Sequence, residues 1–434
     1  MRARWILFGL LIALSPAFAQ AEVSAAQLEQ LRAEFSALAQ RLQVLEAENA
    51  ELKALVEQGA LQEEPSAQQV VAATSSLSAA QPAAKPSAGP EHWTDRFSLS
   101  GDFRYRYQEV KVDDMAGRDR HRIRARAELK ARLDHGLTVA TGFSTGGDNP
   151  LSANQTLGSG GTKKDLHLSL AYVQWQPNEQ WSLSAGKIHN PFYRPEKTGL
   201  LWDGDYKLEG FSAQWSNDLL FANAAMHLLE SDNKGGNQQA TWGLQGGVNL
   251  SLGPVDLKTG LGYFDLPVKG KESFYGDVDD FYGNSFVCGG SQAPSSCIYQ
   301  YDYRQLEWFV DMGFDLANLP VKLYADVVNN RAVDELDMGW LVGVKLGKAS
   351  LPGSWQLGYE YLDLEADAVL ALLSDSDFAG GGSDGKGHKF FGIYAPYRNV
   401  QFKLSYYPGN EKGVDLADES IEIDRLVFDA SIKY

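Results

Sequence analysis

Beyond its first residues the sequence has no long apolar run. No other window offers about twenty consecutive apolar side chains, the length a helix needs to cross a bilayer, so any membrane-embedded part must be built from strands. Cysteine is nearly absent. Cys288 and Cys297 are the only two and share the stretch 266–302, so in an oxidising compartment they are expected to staple that loop to itself. Seven histidines are scattered without metal-ligand spacing, and neither a metal nor a cofactor is expected. Base is the minority charge, with 39 Lys and Arg against 56 Asp and Glu, which argues against nucleic acid as a partner.

What is present starts with Arg2 and Arg4, an apolar run from Trp5 to Leu14 and the small-x-small triplet Ala17-Phe18-Ala19, the pattern of a signal peptide over 1–19. Its removal would take the formal charge from −17 to −19, since Arg2 and Arg4 are its only charged side chains. Over 22–63 the apolar residues step by three and four. Leu28, Phe35, Leu42, Asn49 and Val56 fall at heptad position a, and Leu31, Leu38, Leu45 and Leu52 at d. A parallel pairing sets Arg41 against Glu46 and Glu48 against Lys53, both attractive, and Asn49 would fix the register of a coiled coil. Residues 64–92 are rich in Ala, Ser and Pro and read as a linker.

From residue 93 the period changes to two. Phe97, Leu99, Phe103, Tyr105 and Tyr107 share one parity, and Asp102, Arg104 and Arg106 the other. In Arg120–Leu133, RHRIRARAELKARL, the residues Arg122, Arg124, Arg126, Glu128, Lys130 and Arg132 lie opposite Ile123, Ala125, Ala127, Leu129, Ala131 and Leu133. One face must be wet and the other oily. Continued to residue 434, this alternation gives about sixteen antiparallel strands. Their connections include short turns at 134–136, 177–179, 253–254 and 317–320, and long loops at 145–165, 266–302 and 364–386. Such asymmetry marks an all-β transmembrane barrel of the outer-membrane kind over 93–434, preceded by the helical coiled coil. Strand 166–176 changes phase between Leu166-Leu168-Leu170 and Val173-Trp175, which suggests a bulge. Gly142-Phe143-Ser144-Thr145-Gly146 fits the hydrolase G-x-S-x-G pattern, but no helix follows it, so no enzyme is expected.

The chain closes on Leu426, Phe428, Ala430, Ile432 and Tyr434 on one face, an aromatic ending that looks like the insertion signal of bacterial outer-membrane barrels. With RIRARAELKARL, GKIHNPF and LLWDGD, the heptads and the linker, the whole chain resembles a family of proteobacterial porins that carry an N-terminal coiled coil. The resemblance implies a homotrimeric, water-filled channel in the bacterial outer membrane, in contact with its lipids, passing small hydrophilic solutes passively. It also implies that the loop after the fifth strand, with Arg194, Glu196, Lys197, Asp203 and Asp205, folds into the barrel and faces the basic wall of Arg104, Arg106, Arg122, Arg124, Arg126, Lys130 and Arg132. Paired with Glu128 and Asp102, those cations would instead form a solvated structural ladder. Summed over the first two strands the wall is positive, so mild anion preference is expected, opposed by acidic loops such as 363–384 at the mouth. The alternative from another class is a tether or surface receptor with a plugged barrel, whose periplasmic coiled coil reaches peptidoglycan or another periplasmic partner.

Overall fold

The computed structural model describes residues 93–231, 238–289 and 297–434. The expected signal peptide, the coiled coil with Asn49, and the linker lie outside these residues. Sixteen strands follow one another around a sheet: β1 (Phe97–Val112), β2 (Arg118–Arg132), β3 (Leu137–Thr145), β4 (Leu166–Trp175), β5 (Trp181–His189), β6 (Lys207–Ser216), β7 (Leu220–Glu230), β8 (Gln239–Leu252), β9 (Val255–Leu266), β10 (Tyr303–Leu316), β11 (Leu319–Asn330), β12 (Met338–Gly347), β13 (Ser354–Leu364), β14 (Gly385–Tyr397), β15 (Val400–Lys412) and β16 (Ile421–Lys433). Each pairs antiparallel with its sequence neighbours, and β16 returns to β1 with Asp102 opposite Lys433 and Arg106 opposite Asp429, so the barrel closes and has no free edge. Among the described residues no helix is long and apolar enough to cross a membrane.

Burial is inverted relative to a protein folded in water. Leu99 is 63% exposed and Leu261 58%, while Gln108, Glu307 and Asn330, on the opposite parity, are at most 1% exposed. That distribution is stable where the outside is hydrocarbon and the inside is polar.

Where the alternation falters, the backbone supplies the reason. In β4, Gly142 faces Leu170 and Phe143 faces Leu168, so Ser169 is an extra residue. The resulting bulge leaves Leu166 and Leu168 outside and turns Leu170 inward. β15 runs past residue 407, where alternation alone would end it, because Pro408 and Gly409 form a bulge beyond which Asn410 again pairs with Ile423. The turn expected at 317–320 is tighter: Ala317 and Asn318 both take positive φ, a two-residue hairpin, and Leu319 and Pro320 belong to β11. Cys288 and Cys297 form the expected disulfide, joining the short paired segments Phe286–Cys288 and Cys297–Tyr299.

Described parts of three loops, 190–206, 267–289 and 365–384, are buried against one another. Residues 363–384 were expected as an acidic mouth loop, and the structure corrects this: Ala366, Ala368, Val369, Leu370, Leu372 and Leu373 are buried. Asn284, from the loop 267–302, donates to the carbonyls of Ala366 (2.7 Å) and Val369 (2.8 Å) and accepts from Ala371 N (2.9 Å). The apolar run AVLALL needs such cover and would not be stable at a wet mouth.

Candidate functional site

The loop 190–206 is shaped by its own sequence. Asn190 Oδ1 accepts from Phe192 N and Asp203 Oδ1 from Asp205 N, two side-chain turns that fold the chain back at each end. At its tip Glu196 and Lys197 both take positive φ. The loop crosses the barrel: Tyr193 donates to Asp311 of β10 (2.7 Å), Thr198 to Asp326 of β11 (3.0 Å), and Lys345 of β12 to Glu196 (2.9 Å). Phe192 and Trp202 pack on Phe264 of β9, in space that the inward Gly243 leaves open, since a Cβ there would lie 2.4 Å from the Phe264 ring. The two inward loops are joined as well, by Asp203 N to Leu373 O (2.7 Å) and Asp375 N to Gly199 O (2.9 Å).

Opposite this packed side stands the basic column. β1 and β2 pair with Asp102 opposite Arg126, Arg104 opposite Arg124, Arg106 opposite Arg122 and Gln108 opposite Arg120, so all eight side chains share the lumen face. Lys130 continues the row beside Glu128 (3.5 Å), and exposed Arg132 ends it next to the short turn. From Arg120 to Arg132 the row follows about 40 Å of strand at ~3.3 Å per residue.

Most of these cations are paired. Arg124 and Arg126 contact Asp102 at 2.8 and 2.7 Å and Asp205 of the inward loop at 3.5 and 2.7 Å. Arg106 contacts Asp429 of β16 (2.7 Å) and Asp377 of the loop 365–384 (2.9 Å), and Arg425 also holds Asp377 (2.9 Å). Arg104 lies 3.6 Å from Asp429 and donates to Asn154 (2.7 Å). Burial would raise the Asp205 carboxyl, but Arg124 and Arg126 hold it below the usual carboxylate range. Asp377 is held well below that range against the same burial cost by Arg106 and Arg425. Asp203 behaves oppositely. Burial, with Asp375 beside it, pushes its carboxyl up to about 8.

Of the constriction residues expected from sequence, the geometry brings only Asp205 to the arginines. Glu196 faces the other wall, between Lys345 and Lys322. Asp203 is turned between the loops, where it accepts from Ser376 N (3.2 Å). Arg194 donates to the carbonyl of Trp202 (2.8 Å), and Lys197 is exposed at the loop tip. Nor do loop and wall face each other across a gap: Asp205 touches the guanidiniums, and a cavity of about 760 Å³ lies beside that contact, lined by Asp102, Arg126, Glu128, Ser144, Asp205 and Lys207 among others. Sequence reasoning missed Asp377, which sits in a loop expected outside, and Gln108, whose role depends on its neighbours across two strands. Ser144 of the G-x-S-x-G stretch faces His167 across the sheet, and among the described residues no hydrogen bond joins them.

A family model described as "Putative porin" matches residues 111–276 and 303–434, more than half of the chain. Among solved structures, the high-pH structure of Pseudomonas putida OprB is similar with a TM-score of 0.51 and 13% identity, over 78% of this chain and 95% of that one. Vibrio cholerae OmpT lacking loop L8 (TM-score 0.47, 12% identity, 78% of this chain and 100% of that one) and Salmonella typhi OmpF in complex with daunomycin (0.46, 12%, 78% and 97%) also align. No curated protein matches the chain. The family match runs over β2 to β16, including the arginines of β2, and the chain belongs to that porin family.

Proposed function

We propose that this porin of the bacterial outer membrane passes small hydrophilic solutes along the β1–β6 side of its lumen, with mild preference for anions. The observation that carries the reading is the column of cations on β1 and β2, flanked by an open cavity while the facing side is packed with loop. Charges that line a narrow path act on every passing ion at close range, whereas charges at a mouth are screened over about 8–10 Å at physiological salt. The test is the zero-current potential across a tenfold KCl gradient, for the wild type and for Arg122→Glu with Arg124→Glu and Arg126→Glu. A triple variant that inserts, conducts and leaves the potential unchanged would sink the reading. Parallel coiled coils over 22–63 would help three such chains trimerise or would reach toward the cell wall. The rival, a tether or receptor with a plugged barrel, draws support from the buried loop 365–384, and a wild type without single-channel conductance would favour it.

A further inference from the structure

Arg120 and Arg122 differ from the other arginines of the column, the exposed Arg132 at its end apart. Arg104, Arg106, Arg124, Arg126 and Arg425 each have a carboxylate within 4 Å, but among the described residues Arg120 and Arg122 have none. Their shared acceptor is one amide oxygen, Gln108 Oε1, at 3.2 Å from Arg120 Nη2 and 3.5 Å from Arg122 Nη1. The Nε atoms of both guanidiniums are buried and donate to nothing. Asp377, the carboxylate on the adjoining loop, is already engaged by Arg106 and Arg425. Gln108 is 1% exposed, which holds its oxygen in place.

Two guanidiniums two residues apart on one strand face lie about 6–7 Å from each other, and their like charges repel. An oxygen-rich anion seated between them would accept from the Nη atoms of both forks. A single negative charge would neutralise only one of the pair, so a doubly charged anion fits better. The pair also lies toward the long-loop end of the column, so a solute entering from that end meets it before the stretch beside Asp205.

We infer that Arg120, Arg122 and Gln108 form a binding station for a compact oxyanion carrying two negative charges, with the chemistry of a phosphate or a dicarboxylate. The inference rests on the channel reading only in placing the station on the solute path. At pH 8, where inorganic phosphate is a dianion, phosphate is titrated against chloride current through the full-length protein in a planar bilayer at constant ionic strength. Each curve is normalised to that variant's own phosphate-free current. Phosphate should depress the wild-type current in a saturable way, and succinate should do the same. Gln108→Glu supplies the pair with a built-in counter-ion and should raise the half-blocking concentration by about tenfold or more. Arg120→Gln with Arg122→Gln should match it, and serves if the first variant does not insert. A wild-type current indifferent to both anions, or a half-blocking concentration unchanged in the variants, overturns the station. A wild type that does not conduct at all defeats the channel reading instead. Phosphate calorimetry on the detergent-solubilised protein then decides the station by itself: saturable binding that Gln108→Glu abolishes supports it, and heat no greater than dilution overturns it.

Discussion

Replacing Asp205 by Asn removes one negative charge beside the open cavity while keeping the shape of the side chain. In the wild type this carboxylate is shared by Arg124 and Arg126, which otherwise have only Asp102. For an ion passing about 6 Å away through water-like surroundings, one unit charge contributes roughly 0.7 kcal/mol. Screening over about 10 Å at 0.1 M salt reduces that to about 0.4 kcal/mol. The result is a factor of about two for each ion, favourable for the anion and unfavourable for the cation, so the chloride-to-potassium permeability ratio should rise about fourfold. The loop should stay docked, because Tyr193, Thr198 and Glu196 anchor it on the far wall. The assay is the zero-current potential in a KCl gradient at 0.1 M mean salt, with single-channel conductance confirming an intact pore. A conducting Asp205→Asn channel with the wild-type ratio would refute the argument, since the arginines it releases would then not border the ion path.

Other outcomes follow from the loops and the heptads. Asp203 keeps its proton to about pH 8 in the folded chain, against about 4 when unfolded, so its contribution to loop docking is greatest below pH 4 and falls as pH rises, reaching its floor above pH 8. Amide exchange at residues 373–376, compared between pH 6 and 9 after correction for intrinsic rates, should show that loss in the wild type and not in Asp203→Asn. Replacing Cys288 and Cys297 by Ser should remove about 2–3 kcal/mol of ring-closure stabilisation, confined to the 286–299 hairpin. The unfolding temperature of the barrel should therefore hold while proteolysis of that loop quickens. In a peptide of residues 22–63, Asn49→Leu should raise the melting temperature and admit further oligomer states in sedimentation, and a wild-type peptide that stays monomeric at high micromolar concentration would defeat the coiled-coil reading.

The strands were legible in the sequence because a half-lipid, half-water wall forces strict alternation, and RIRARAELKARL keeps it for its whole length. Even the phase change at Ser169 left a mark. Loop placement was far less legible. The inward turn of 190–206 came from resemblance, and the partners of its charges followed from which wall each reaches: Glu196 met lysines on β11 and β12, because the tip crosses the whole lumen before the chain returns with Asp205. For 365–384 the count of acidic residues pointed outward, whereas the run AVLALL, better buried than wet, pointed inward. Hydrophobicity decided the position, and Asp377 was carried in with it to meet Arg106 and Arg425.

The anchoring of the loop 190–206 on opposite walls has a mechanical consequence. A hollow cylinder of sixteen strands resists bending along its strands but flattens readily across them, because shear between neighbouring strands costs little. Here the loop reaches β2 through Asp205 and β10, β11 and β12 through Tyr193, Thr198 and Glu196, so it acts as an internal strut. Lateral pressure from the bilayer cannot make the cross-section elliptical without stretching several hydrogen bonds, many of them charge-assisted, together. The cross-section should therefore vary little with lipid thickness or tension, and fluctuations in current should come from the exposed loop tips rather than from breathing of the wall.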